Sequence, residues 1–268
     1  MKIGIIGLGK MGEALASGIM KSSHGKDYSI QATTHTQKSA EEAASRLKIK
    51  CHNDNKKLAA DSDIVILCVK PHQAEAALKE ISKEWKSGQL LISICAALTT
   101  EQLSKFLGKN SPIVRAMPNT PCLVGEGMTV LTAGEHSNES HLKKAEAIFK
   151  TVGETATITE DLMDGATGLS GCGPAYVYLM IEALSEAGVK VGLPRKTSTL
   201  LAAQTLMGAS KMVIEGGQHP AALKDEVTTP AGCTIDGLMA LEEGALRVTL
   251  IKAVLAATRR SQKMGEKI

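Results

Sequence analysis

Apolar and polar residues alternate along this chain in two different ways. Up to about residue 159, short apolar runs are separated by segments in which apolar residues return every three or four positions. The runs at 3–6, 30–34, 64–69, 90–93, 113–117 and 128–132 predict strands, and 13–21, 39–47, 73–81, 100–107 and 140–150 predict helices. Strands alternating with helices imply βαβ units, hence a parallel sheet with helices on both faces. Several runs are apolar throughout, as expected of strands covered on both sides. Beyond residue 161 strand-like runs vanish. Ala, Leu, Glu and Met recur there at helical spacing over 161–169, 173–191, 195–215, 220–227, 234–243 and 244–263. The expected organisation is an α/β domain over 1–160 followed by an all-helical domain over 161–268.

The first strand breaks directly into Gly7-Leu8-Gly9-Lys10-Met11-Gly12 before the first helix. In that setting Gly7 allows the tight turn, Gly9 lets backbone approach a pyrophosphate, and Gly12 lets helix and strand pack closely. The helix N-terminus adds unpaired N–H groups and a positive dipole end. The first domain is therefore expected to be a Rossmann-like, doubly wound sheet, with Gly7, Leu8, Gly9, Lys10, Met11 and Gly12 as its dinucleotide loop.

Composition narrows the partners. A net charge of +3 with scattered lysines and 2% aromatic residues offers nucleic acid neither a basic patch nor a stacking surface. No apolar stretch is long enough to span a bilayer, and the N-terminal residues lack the regions of a secretory signal, so a cytoplasmic location is expected. The six cysteines, Cys51, Cys68, Cys95, Cys122, Cys172 and Cys233, form no C-x-x-C, so neither a disulfide framework nor a metal site is expected. The helical domain has few aromatic residues to fill a centre of its own. Close helix packing between subunits, hence a homo-oligomer, is expected.

An acidic residue at the end of the second strand binds the ribose 2′-hydroxyl of NAD. Here that strand ends Ala32-Thr33-Thr34-His35-Thr36-Gln37-Lys38, without an acid. Thr33, Thr34, His35 and Lys38 can donate to a 2′-phosphate, so NADPH is the expected cofactor; if they form an ordinary polar turn, NADH is accepted too. Two further loops, Cys68-Val69-Lys70-Pro71 and Arg115-Ala116-Met117-Pro118-Asn119-Thr120-Pro121, follow apolar strands and should face the nicotinamide half. Their prolines either aim the backbone there or simply end the strands. A third constellation, Thr229-Pro230-Ala231-Gly232-Cys233-Thr234, joins two helices. The N–H groups of Gly232, Cys233 and Thr234 and the hydroxyls of Thr229 and Thr234 suit a carboxylate; alternatively Thr234 is merely an N-cap.

No Ser-His-Asp set is evident. His24, His52, His136, His141 and His219 lie in polar stretches, and His72, after Lys70-Pro71, is the least dismissible. Scarcity of acid–base partners fits reduction of a protonated imine, which is already electrophilic and needs mainly positioning.

These motifs resemble those of the pyrroline-5-carboxylate reductase family over essentially the whole length. The matching segments are Gly7 to Gly12, Val69-Lys70-Pro71, Met117-Pro118-Asn119-Thr120-Pro121, Leu169-Ser170-Gly171-Cys172-Gly173-Pro174-Ala175-Tyr176, 188–195 and, most specific, 223–242. The resemblance implies reduction of Δ1-pyrroline-5-carboxylate to L-proline by hydride from NADPH, the last step of proline biosynthesis. It implies that Thr229, Gly232 and Cys233 hold the substrate carboxylate, and that the catalytic Thr234 hydrogen-bonds the ring nitrogen. By the same resemblance Asn55 reaches the adenosine ribose or its phosphate. Val69, Lys70 and Pro71 line the nicotinamide, with Asn119 and Thr120 nearby. The helical domain interlocks in a homodimer, with substrate sites at the interface, and dimers assemble further. Two departures stand out: Ala231-Gly232 replaces a pair of glycines, and Cys233 adds a thiol beside the carboxylate site. The adenosine-side loop also lacks an arginine found in some relatives. The alternatives are a hydroxyacid or imine reductase using Lys190 or Lys211, and a dinucleotide sensor without turnover.

Overall fold

The structure, a computed structural model, describes residues 1–23, 25–108 and 110–266. His24 and the last two positions of the expected helical domain lie outside those residues. Among the described residues eight strands form one sheet: β1 (Lys2–Ile6), β2 (Ser29–Thr33), β3 (Lys50–His52), β4 (Ile64–Leu67), β5 (Leu90–Ser93), β6 (Ile113–Met117), β7 (Gly127–Ala133) and β8 (Gly153–Thr157). Their order is β3-β2-β1-β4-β5-β6-β7-β8, with all neighbours parallel except the antiparallel pair β6–β7. From β1 the chain winds outward through β2 and β3, then crosses back to β4 on the other side of β1. That reversal places a crevice at the carboxyl ends of β1 and β4.

Alternation along each strand divides the core between the two faces. Ile3, Ile5, Ile64, Ile66 and Ile92 pack with Leu15 and Ile19 of the helix Lys10–Lys21 and with Ile148 and Phe149 of the helix Glu139–Phe149. Val65, Leu67 and Leu91 face Leu78 and Ile81 of the helix Pro71–Ile81 and Leu103 and Leu107 of the helix Thr100–Leu107. The run of four buried residues in β4 is the signature of this double coverage.

Five elements depart from the sequence expectation. β3, β8 and the six-residue helix Asn55–Ala60 carry too few apolar residues for periodicity to register. The helix expected over 161–169 is instead a 3-10 turn, Glu160–Leu162, one α turn, Met163–Ala166, and a π turn, Thr167–Gly171. The final helix begins at Leu246, because Ala245 sits at φ +52 and breaks it from the preceding one.

The chain divides into two compact units, Met1–Cys172 with the residues from Leu255 onward, and Gly173–Val254. The change in sequence pattern at 160 therefore precedes the change in packing. Residues 160–172 belong with the sheet because Glu160 pairs with the buried Arg115 of β6 at 2.6 Å and Met163 is fully buried. The chain's end joins them through Ser261 Oγ, which donates to Asp164 Oδ1 at 2.5 Å.

The helical unit has almost no interior. Its buried residues are Ser185, Ser198 and Ala202, all in the hairpin of the helices Gly173–Lys190 and Arg195–Gly216. Those helices approach closely at small side chains: Ser185 Oγ and Thr199 Oγ1 are 2.7 Å apart, and a Cβ on Gly188 would lie 2.6 Å from Ser198 Oγ. Meanwhile Leu179, Val191, Leu200 and Ile214 are each at least 66% exposed. An apolar surface of that extent on a single chain marks an interaction face.

Candidate functional site

The glycine loop leaves β1 at the crevice. Gly7 takes φ +90, and its N–H donates to the carbonyl of Thr33 at 3.1 Å. A Cβ there would lie 2.9 Å from the Cys68 carbonyl oxygen, so the loops after β1 and β4 touch. At Gly12 a Cβ would stand 2.6 Å from the Gly7 carbonyl oxygen, which explains glycine by helix–strand packing alone. Gly9 differs. Its φ of −84° and ψ of −170° suit any residue, and a Cβ would meet no protein atom within 4 Å. Nothing in the protein requires glycine there, whereas a ligand seated on the backbone would. Gly9 is also the N-cap of Lys10–Lys21 and supplies no side-chain cap. Leu8, Lys10 and Met11 complete this rim, and Glu13 in the first turn is neutralised by an ion pair with Arg46. These residues fit a dinucleotide pyrophosphate.

Beside the loop, Thr33 at the end of β2 is buried, and its hydroxyl donates to Asn55 Oδ1 at 2.6 Å. It is committed to that amide rather than free for a phosphate. Thr34 donates its N–H to the carbonyl of His52 at 3.1 Å and its hydroxyl to the carbonyl of Thr36 at 3.0 Å, while His35 and Lys38 are exposed. Asn55 Nδ2 donates to Glu80 Oε2 at 2.8 Å. Glu80 was not visible as a site residue in the sequence, since only the fold brings its helix to Asn55. His52, expected in a polar exposed stretch, is half-buried at the end of β3. Its Nδ1 accepts from the Asp54 N–H at 3.2 Å, and burial with the nearby Lys50 lowers its pKa.

After β4, the Lys70 N–H donates to Gln73 Oε1 at 3.3 Å, opening the helix at Pro71. The carbonyl of Val69 accepts from the Cys95 thiol at 3.3 Å. Burial pushes the Cys95 thiol up to about 11 and the Cys68 thiol higher still, so both stay neutral donors or apolar fillers. Asn119 is buried and spans two segments. Its Oδ1 accepts from the Met128 N–H at 2.9 Å and its Nδ2 donates to the carbonyl of Ser170 at 3.1 Å. The side chain thus braces the π turn against β7.

The loop of the helical unit is a β-turn: the Gly232 N–H donates to the carbonyl of Thr229 at 3.0 Å. Ala231 occupies its third position at φ +56, the conformation that normally selects glycine. A Cβ on Gly232 would collide with the Thr229 hydroxyl. The helix Cys233–Glu243 begins with Gly232 as N-cap and no side-chain cap. Thr234 is therefore inside the helix instead of capping it, which leaves the first-turn N–H groups without a side-chain acceptor. Thr229 and Cys233 are exposed and Thr234 is half-buried.

A doubly wound sheet with a bare glycine loop at its switch point is the frame of a dinucleotide-binding protein, and its relatives place it among the NAD(P)H-dependent oxidoreductases. Residues 2–97 match the family model described as NADP oxidoreductase, coenzyme F420-dependent, and residues 160–264 match that described as pyrroline-5-carboxylate reductase dimerisation. The chain belongs to the pyrroline-5-carboxylate reductase family. It is 40% identical to the pyrroline-5-carboxylate reductase of Methanosarcina acetivorans over 99% of this chain and 98% of that protein. The Arabidopsis thaliana enzyme of the same name is 37% identical, over 99% and 96%. Among solved structures, Plasmodium falciparum pyrroline carboxylate reductase with NADP bound is 39% identical with a TM-score of 0.86, covering 99% of this chain and 98% of that one. The Coxiella burnetii pyrroline-5-carboxylate reductase is 36% identical with a TM-score of 0.92, covering 97% of each. No described helix is long and apolar enough to cross a membrane.

Proposed function

We propose that this chain reduces Δ1-pyrroline-5-carboxylate to L-proline with NADPH as the preferred donor, acting as a homodimer that can assemble further. The observation that carries the cofactor reading is Gly9, where open space stands over a residue that the protein itself does not require to be glycine. Family membership carries the substrate.

Bound at the loop, the dinucleotide supplies the hydride. The uncapped N–H groups of Lys10–Lys21 hold the pyrophosphate. Asn55 and Thr34 meet the adenosine ribose, and the absence of an acid at the end of β2 supports NADPH over NADH. Val69, Lys70 and Pro71 present backbone to the nicotinamide, with the Val69 carbonyl held in place by the Cys95 thiol. Asn119, braced by Met128 and Ser170, keeps its second Nδ2 hydrogen for the cofactor in this reading.

In the helical unit, the uncapped N–H groups of Cys233 and Thr234, with the Thr229 hydroxyl, hold the substrate carboxylate, while the Gly232 N–H stays in the turn with the Thr229 carbonyl and Gly232 serves as the N-cap of that cradle. The Thr234 hydroxyl hydrogen-bonds the ring nitrogen and keeps the imine oriented. Positioning supplies most of what such a reaction needs, because the protonated imine is already an electrophile. The division into domains at residue 160 and a cytoplasmic location, both taken from the sequence pattern, belong to this reading. So does the homodimer, because a helical unit with three buried residues has no core until a second copy covers it.

The test is NADPH oxidation by purified protein with pyrroline-5-carboxylate, followed by absorbance, with the product identified as proline. Turnover with proline formed is expected. Tight NADPH binding without turnover would refute the reaction and favour a sensor.

A further inference from the structure

The amide of Asn55 is held from two sides. The Thr33 hydroxyl donates to Oδ1 at 2.6 Å, and Nδ2 donates to Glu80 Oε2 at 2.8 Å. A carboxylate only accepts, so it dictates that the nitrogen, not the oxygen, of the amide faces Glu80. Thr33 is buried at the carboxyl end of β2, Asn55 opens the short helix after β3, and Glu80 lies near the end of the helix Pro71–Ile81. Three separate elements thus converge on one side chain beside the crevice. Lys79, its neighbour in sequence, faces the other way and pairs with Glu75 at 2.6 Å. The Glu80 carboxylate accepts from the amide.

We infer that Glu80 is a positioning residue for cofactor binding, fixing Asn55 so that its second Nδ2 hydrogen is offered to an oxygen at the ribose 2′ position. The inference rests on Asn55 contacting the cofactor, as proposed above. Both arms of the amide that could turn it over are used, so what remains outward is one donor and one lone pair. An oxygen acceptor, whether a 2′-hydroxyl or a 2′-phosphate, matches that donor. An amide free to flip would present its carbonyl half the time, and a phosphate would then meet an acceptor.

The experiment compares wild type with Glu80→Ala, Glu80→Gln and Asn55→Ala. Dissociation constants for NADPH and for NADH are measured on the full protein without imine, alongside kcat, KM and melting temperature. Glu80→Ala should weaken dinucleotide binding about tenfold, the value of one lost hydrogen bond of about 1.4 kcal/mol. Asn55→Ala should weaken it at least as much, and in both alanine variants the KM for the dinucleotide should rise by more than kcat falls. Glu80→Gln should recover most of the affinity, since its amide oxygen can still accept from Asn55 Nδ2. A loss confined to NADPH identifies the 2′-phosphate as the oxygen met, and an equal loss for both identifies the shared ribose oxygen. Unchanged affinity in Glu80→Ala, or a lowered melting temperature with unchanged affinity, would overturn the inference. So would Glu80→Gln binding as weakly as Glu80→Ala. Because binding is read without substrate, failure of the reaction and failure of this inference give different results.

Discussion

Replacing Gly9 by alanine separates ligand recognition from folding. The backbone at Gly9 is at φ −84 and ψ −170, and the added Cβ meets nothing within 4 Å. Alanine is a poorer N-cap than glycine by several tenths of a kcal/mol, whereas removing glycine's freedom in the unfolded chain returns about 0.4–1 kcal/mol. The two nearly cancel, so the melting temperature should stay within about 3 °C of wild type. The methyl group, however, projects into the space where backbone would approach a pyrophosphate. Losing one charge-assisted hydrogen bond there costs about 2 kcal/mol, which is a roughly thirtyfold rise in the NADPH dissociation constant. Gly12→Ala is the counterpart. Its Cβ would stand 2.6 Å from the Gly7 carbonyl oxygen, and such overpacking costs about 1–3 kcal/mol of stability. Nucleotide fluorescence titration and a thermal melt on both variants read the two effects separately. Wild-type NADPH affinity in Gly9→Ala, in a protein that melts normally, would refute the placement of the pyrophosphate on this loop.

Thr234→Val should lower kcat severalfold or more while leaving NADPH affinity nearly intact; steady-state kinetics with unchanged turnover would remove Thr234 from the mechanism. Ala231→Gly should stabilise the protein by about 0.5–1 kcal/mol in urea unfolding, because relief of strain at φ +56 exceeds the entropy that glycine adds to the unfolded chain. Glu160→Ala leaves the Arg115 guanidinium buried without its 2.6 Å partner and should cost about 3 kcal/mol by the same measurement. Dilution should lower the melting temperature, since exposed Leu179, Leu200 and Ile214 need a second copy to cover them; a melt independent of concentration, with a monomer by ultracentrifugation, would argue against the dimer.

The family, the oxidoreductase class and the order of most strands and helices could all be read from the sequence. The family was legible through the resemblance of its motifs, and the fold elements because they depend on local patterns: a glycine loop between strand and helix, doubly buried strands such as Ile64–Leu67, and turn residues at fixed offsets. What periodicity could not show were β3, β8 and the helix Asn55–Ala60, whose few residues are held by neighbours rather than by propensity. Nor could it show the assignments that depend on contacts distant in sequence. Thr33 looked free to bind a phosphate until Asn55, 22 residues away, took its hydroxyl. Asn119 could be singled out in the sequence, but not its brace to Ser170, 51 residues away, and to Met128. Thr234 looked like an N-cap until the backbone gave that place to Gly232. A side chain's chemistry is written in the sequence, but whether its polar atoms are still available is decided only when the fold chooses their partners.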